Sequence, residues 1–281
     1  MRESQRSPIG VFDSGVGGLT VLRELYRQLP DESILYFADT ARLPYGTRSK
    51  GEIIAFVRDI LDWMTERRVK MVIMACNTSS ALALDEVRQE YPDLPILGVI
   101  LPGAKAAVRQ GKRIGIIATP ATVASRAYER AIHEIDPVAR VWQVPCPEFV
   151  PLIEANRIFD PYTTRVAKEY LEPLLAENID TLVYGCTHYR HLAPVFRDLL
   201  PDSVQLIDPA RSVVRAAEKE LELLGLKNTD RPLPTGFTVS GDPEAFTRLS
   251  KQWLGYSPRV GKVYFPAPTV LPVPVEVPVS S

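Results

Sequence analysis

Two short stretches of this chain each place a cysteine where it could act on a bound carbon acid. They are Met74-Ala-Cys76-Asn77-Thr78-Ser79-Ser80 and Tyr184-Gly-Cys186-Thr187-His188-Tyr189. Each follows a short apolar run of the kind that forms a central parallel strand, and each leads into small hydroxyl or amide residues that cap helices. Both cysteines are therefore expected at the carboxyl end of a strand, just ahead of a helix N-terminus, where open α/β sheets bind ligands. Free N–H groups and the helix dipole favour a thiolate at such a place. Two thiols facing one bound carbon could invert a stereocentre, one taking a proton and the other returning one on the opposite face. A thiol suits this work because its ordinary pKa, about 8.5, lies near neutrality. The plain alternative is that either cysteine only packs, as free thiols commonly do.

The ionisable residues best placed to tune these thiols are Asp13, Glu154 and His188. A metal site built from Cys186, His188 and His191 lacks the second Cys/His cluster that would complete a tetrahedral set, so no metal is expected. Cys146, in Pro145-Cys-Pro147, has no strand–helix context and is read as packing. Ser14, Asn77, Thr78 and Thr187 stand beside strand ends, with Thr119 and Thr122 on a comparable turn. Their hydroxyl and amide groups could hold carboxylate and ammonium groups, or could merely cap helices. Gly15-x-Gly17, with Asp39 ending the second strand, resembles the start of a dinucleotide fingerprint. Thr20 stands where its third glycine should fall, and Asp13 would repel a pyrophosphate. A nicotinamide oxidoreductase is thus a weakened reading, beside a carboxylate-binding module with structural cysteines.

These residues need strands to carry them. Strands are expected at Ile9–Asp13, 33–38, 70–74, 95–100, 113–118, 138–144, 180–184, 204–207 and 236–240, alternating with helices. The helices include Leu19–Leu29, Lys50–Arg68, one from Pro120 to Glu134, and one from the second cysteine to about Leu200. Asp160-Pro161, Asp208-Pro209 and Asp242-Pro243 read as an N-cap followed by an N1 proline. Pro173 should kink the helix that Asp160 opens. The alternation implies parallel sheets covered on both faces. The repeated cysteine motif makes an internal duplication plausible. From Tyr264 onward five prolines forbid a helix or a central strand, so an extended tail is expected.

With 281 residues the chain can form two ordinary domains, and 46% hydrophobic residues suffice for full cores. A net charge of −1 offers no basic surplus, which disfavours nucleic acid or an anionic membrane as partner. The N-terminus lacks the apolar core of a secretory signal, no run is long enough to span a bilayer, and three cysteines suit a reducing cytoplasm.

Taken together, Phe12-Asp-Ser-Gly-Val-Gly-Gly-Leu-Thr20, Asp39-Thr-Ala-Arg-Leu-Pro-Tyr-Gly46, Ala75-Cys-Asn-Thr78, Gly185-Cys-Thr-His188 and Gly241-Asp-Pro resemble the glutamate racemases of the aspartate/glutamate racemase family. The resemblance spans roughly residues 8 to 256. It implies cofactor-independent racemisation of L- and D-glutamate, the D-isomer supplying peptidoglycan. A racemase for aspartate or another amino acid is the nearest alternative. The fold implied is two doubly wound parallel-sheet α/β domains related by a pseudo-twofold axis, with the active site between them. Residues 1–99 plus 209–264 would form the first domain, 100–208 the second, and 265–281 the tail. Cys76 matches the thiol that acts on the D-isomer and Cys186 the one that acts on the L-isomer. Asp13 matches the assistant of the first thiol, and His188 and Glu154 those of the second. Ser14, Pro44, Tyr45, Gly46, Asn77, Thr78, Thr119, Thr122 and Thr187 match substrate contacts. The expected partners are the small-molecule substrate and a second copy in a homodimer.

Overall fold

The computed structural model describes residues 2–265; the segment 266–281, expected as a tail, lies outside the described residues. Among the described residues ten strands form two sheets, paired parallel throughout. The strands are β1 (Ile9–Asp13), β2 (Ile34–Ala38), β3 (Met71–Met74), β4 (Ile96–Gly98), β5 (Arg113–Ala118), β6 (Arg140–Pro145), β7 (Thr181–Gly185), β8 (Gln205–Ile207), β9 (Gly236–Val239) and β10 (Val260–Lys262). The helices in chain order are α1 (Arg2–Arg6), α2 (Leu19–Gln28), α3 (Lys50–Glu66), α4 (Asn77–Glu90), α5 (Ile100–Gln110), α6 (Pro120–Ser125), α7 (Ala127–Ile135), α8 (Phe149–Glu154), α9 (Pro161–Ala176), α10 (Ala193–Leu199), α11 (Pro209–Leu223) and α12 (Pro243–Leu254).

The first sheet has the order β10-β9-β2-β1-β3-β4 and the second β6-β5-β7-β8. Within both, the first strand of a series lies between the second and the third, and the fourth lies beyond the third. That is a doubly wound order whose switch point falls between the first and third strands. Register completes the arrangement. Phe12 pairs with Met74, so the turn after β1 lies beside Cys76; Ala118 pairs with Gly185, so Thr119 lies beside Cys186. The central strands β1, β3 and β7 are buried along their whole length, which is why they read as largely apolar runs. Val11, Tyr36 and Ile73 enter one core while Phe12, Phe37 and Val72 enter another. Leu182 and Tyr184 are likewise divided from Val183 in the second sheet.

Several expectations need correction. The strand expected over 95–100 ends at Gly98, and Ile100 already opens α5, with Pro102 and Gly103 tolerated near its start. The single helix expected from Pro120 breaks at Arg126, whose φ is 54°, giving α6 and α7. Cys186 leads not into an α-helix but into a six-residue 3₁₀ helix, Thr187–Leu192, with α10 following. Other expectations hold: α9 has Pro173 inside it and runs to Ala176. The expected Asp-Pro starts are real: Asp160, Asp208 and Asp242 each accept a bond from a backbone N–H two residues on.

Candidate active site

Both switch points open on one cavity of about 160 Å³, and both Cys76 and Cys186 line it. From the first half come Ser14 after β1, Pro44, Tyr45 and Gly46 from the loop after β2, and Asn77 and Thr78 at the start of α4. The second half contributes Thr119 after β5, and Thr187 and His188 after β7. Asp13, Thr122 and Glu154 stand behind this lining, each bonded to a residue in it. Leu43, Thr47, Pro120, Cys146, Pro147, Val150 and Pro151 also line the cavity and escaped the sequence reading. Cys146 does pack, as expected, in the second-sheet core, and its Sγ donates to the Val144 carbonyl at 3.4 Å. The missed signal for its second role was position: it directly follows β6, at the same sheet end as the other functional groups.

Cys76 is the N-cap residue of α4 and is 6% exposed. Burial pushes its thiol up to about 12, the Asp13 carboxylate adds to this, and the Ser79 amide and hydroxyl work against it. This sulfur therefore holds its proton near neutral pH. Asp13 is fully buried. Its Oδ2 accepts from the Gly15 N–H at 3.0 Å and its Oδ1 from the Thr187 hydroxyl at 3.2 Å. Burial raises the Asp13 carboxyl above its ordinary value, while the His188 charge and these donors pull the other way.

Cys186 meets a different neighbour. Its Sγ lies 3.8 Å from His188 Nδ1, and His188 Nε2 lies 2.7 Å from Glu154 Oε1. Burial alone would lower the imidazole pKa, but the bonds to Cys186 and Glu154 outweigh it and raise it well above the ordinary value. The ring is thus held protonated, with one N–H on a carboxylate and the other aimed at sulfur. His191 takes no part in this set; its ring stacks on Trp253, centroids 3.4 Å apart.

The glycine-rich turn joins the halves instead of cradling a phosphate. A Cβ on Gly17 would lie 2.3 Å from Thr187 Oγ1 and 2.5 Å from His188 Nδ1. The Tyr36 hydroxyl donates to the Gly15 carbonyl at 3.0 Å and fixes the turn from below. Asp39, the residue a ribose would need, is fully buried and already engaged: it accepts from Arg42 Nε at 2.7 Å, from the Ser240 hydroxyl at 2.7 Å and from the Tyr45 hydroxyl. It anchors the loop that carries Pro44, Tyr45 and Gly46. Across the cavity wall, the Thr78 and Thr119 hydroxyls are 2.9 Å apart, and Thr122 lies 2.9 Å from Thr119. Three hydroxyls so close form a ready cluster of donors and acceptors for a carboxylate.

A family model described as Asp/Glu/Hydantoin racemase matches residues 9–217. The chain is similar to the glutamate racemase of Microcystis aeruginosa, 82% identical over 264 residues that cover 94% of this chain and 93% of that one. Among solved structures it is similar to a glutamate racemase isoform from Bacillus anthracis, with a TM-score of 0.88 and 37% identity, covering 94% of this chain and 99% of that one. It is also similar to the glutamate racemase of Francisella tularensis in complex with D-glutamate, with a TM-score of 0.87 and 36% identity over 93% and 98% of the two chains.

Proposed function

The chain belongs to the Asp/Glu/hydantoin racemase family, and from that premise we propose that it interconverts L- and D-glutamate by two thiols, without a cofactor. The observation that carries the reading is that Cys76 and Cys186, from separate halves of the chain, line the same cavity. A bound amino acid with its α-carbon between them would present its proton to one sulfur and its opposite face to the other. Cys186 takes the proton of the L-isomer while Cys76 protonates the far face; the reverse pair of transfers consumes the D-isomer. Two features suit the first direction: burial keeps the proton on Cys76, and the His188 ring, its pKa raised, stands beside Cys186. Asp13 assists Cys76, and His188 with Glu154 assists Cys186. The hydroxyls and amides of Ser14, Asn77, Thr78, Thr119, Thr122 and Thr187, with the Pro44-Tyr45-Gly46 wall, hold the two carboxylates and the ammonium. Because an amino-acid α-proton is weakly acidic, these preorganised donors and a site closed to water must stabilise the carbanion.

Glutamate is preferred over aspartate on the names of the relatives, including one bound to D-glutamate. Supply of D-glutamate to peptidoglycan, a cytoplasmic location and a homodimer belong to the same proposal. So do the unit boundaries, 1–99 with 209–264 against 100–208, a division that strand membership of the two sheets supports. Incubation with L-glutamate in deuterated water tests the chemistry. D-glutamate carrying α-deuterium, formed with no added cofactor, is the expected product. Absence of both racemisation and exchange would sink the reading, and turnover of aspartate alone would redirect it.

A further inference from the structure

Asn77 lines the cavity beside Cys76 and is 3% exposed, so its amide must find partners within the protein or on a ligand. Its oxygen has one. The Tyr128 hydroxyl donates to Asn77 Oδ1 at 2.7 Å, across 51 positions of sequence and from one half of the molecule to the other. Among the described residues, Asn77 Nδ2 donates to no protein acceptor. An amide with its oxygen taken and its nitrogen free presents two N–H donors to whatever fills the cavity.

Tyr128 is held rigidly for this contact by the core around it. It is fully buried, two residues past the left-handed break at Arg126 that separates α6 from α7. The ring packs over Gly103, where a Cβ would lie 3.3 Å from Tyr128 Cε1. Burial, with smaller contributions from Asp208 and Cys186, holds its phenol well above the ordinary value, so it remains a donor. A flipped amide would leave the buried Tyr128 O–H without its acceptor and turn a carbonyl toward an anionic ligand, a double loss.

We propose that Tyr128 is a positioning residue of the active site, fixing the Asn77 side chain so that Nδ2 faces a carboxylate of the bound amino acid. This rests on the reading of the site as an amino-acid racemase. It also extends the binding machinery to a side chain that touches neither the cavity nor the substrate.

The test is the full-length Tyr128→Phe variant, which keeps the ring and removes only the hydroxyl. KM for both L- and D-glutamate should rise about tenfold with kcat within about twofold, because the lost interaction orients a donor used in binding and in turnover alike. A lower kcat at unchanged KM is the mark of a merely structural role and would overturn the proposal, as would wild-type kinetics. Should Tyr128→Phe fail to fold, Asn77→Asp decides. That variant keeps an oxygen for Tyr128 and turns an anion, not a donor, toward the substrate, so KM should rise about tenfold or more. Unchanged KM in Asn77→Asp would overturn the proposal too. A wild-type chain inactive on both enantiomers overturns the racemase reading and this proposal together. An active wild type with an indifferent Tyr128→Phe overturns the proposal alone.

Discussion

Cys76 starts a 14-residue α-helix and has a buried carboxylate, Asp13, beside it; Cys186 starts a six-residue 3₁₀ helix and has an imidazole, His188, backed by Glu154. The strands that deliver them occupy the same place in the same order, third of the series and next to the first. The scaffold is thus repeated while the proton handling is not. The α4 terminus offers a fixed dipole, which favours charge but cannot move a proton. The shorter 3₁₀ helix offers less of that field, and a titrating ring stands in its place. Placement of a sulfur is a property of the sheet; its protonation is a property of whatever the next few residues add.

The widest break of this comparison is removal of either sulfur. Cys76→Ser and Cys186→Ser should each lower kcat/KM for racemisation by about 10²–10⁴-fold with the fold intact, since the proposed mechanism gives each one a proton transfer. Wild-type turnover in either would end the two-thiol assignment. Next is the turn that presses the first half onto the second. Gly17→Ala puts a methyl group against Thr187 and His188 and should lower kcat by about 100-fold through misplacement of the second set alone. If its activity is unchanged, the turn is not what locates His188. Smaller and more telling is His188→Asn. The equilibrium constant between enantiomers is one, so kcat/KM must fall equally in both directions. The asymmetry should appear in isotope effects, with that for α-deuterated L-glutamate growing and that for the D-isomer shrinking. Equal changes would count against pairing His188 with Cys186.

The same variant carries a pH signature. His188 has a folded-state pKa above its unfolded value, so its contribution to stability is complete below about pH 6.5 and lost as pH rises through the raised value. The Tm deficit of His188→Asn should accordingly be largest below about pH 6.5 and shrink as pH rises through the raised value. A deficit that does not vary with pH would mean that the imidazolium is not what the site stabilises.

What was legible beforehand follows the range of the interactions. Caps and strand ends are local, so Asp242-Pro243 announced α12 and Arg113–Ala118 matched β5 to the residue. α5 and α8 were hidden because each carries a proline near its start, where a helix tolerates it but a reader expects a stop. The break at Arg126 left no local signal, because a left-handed arginine obeys tertiary contacts and not its own preference. The catalytic candidates were legible through repetition of a strand–cysteine–cap pattern. The bonds that join their supporting residues were not: those from Thr187 to Asp13 and from Tyr128 to Asn77 link distant positions, and only the folded chain brings them together.

One seam has a kinetic meaning. Gly46 lies so close to the second half that a Cβ there would be 2.8 Å from the Thr119 Cβ, and both sulfurs below this rim are under a tenth exposed. If this rim has to part to admit or discharge the proposed guest, an amino acid with two carboxylates, then its opening is a step of turnover. Traffic through that gate then competes with bond-making as the slow event, and turnover should decline as the solvent is thickened with sucrose. A rate indifferent to viscosity would place the bottleneck back at the α-carbon.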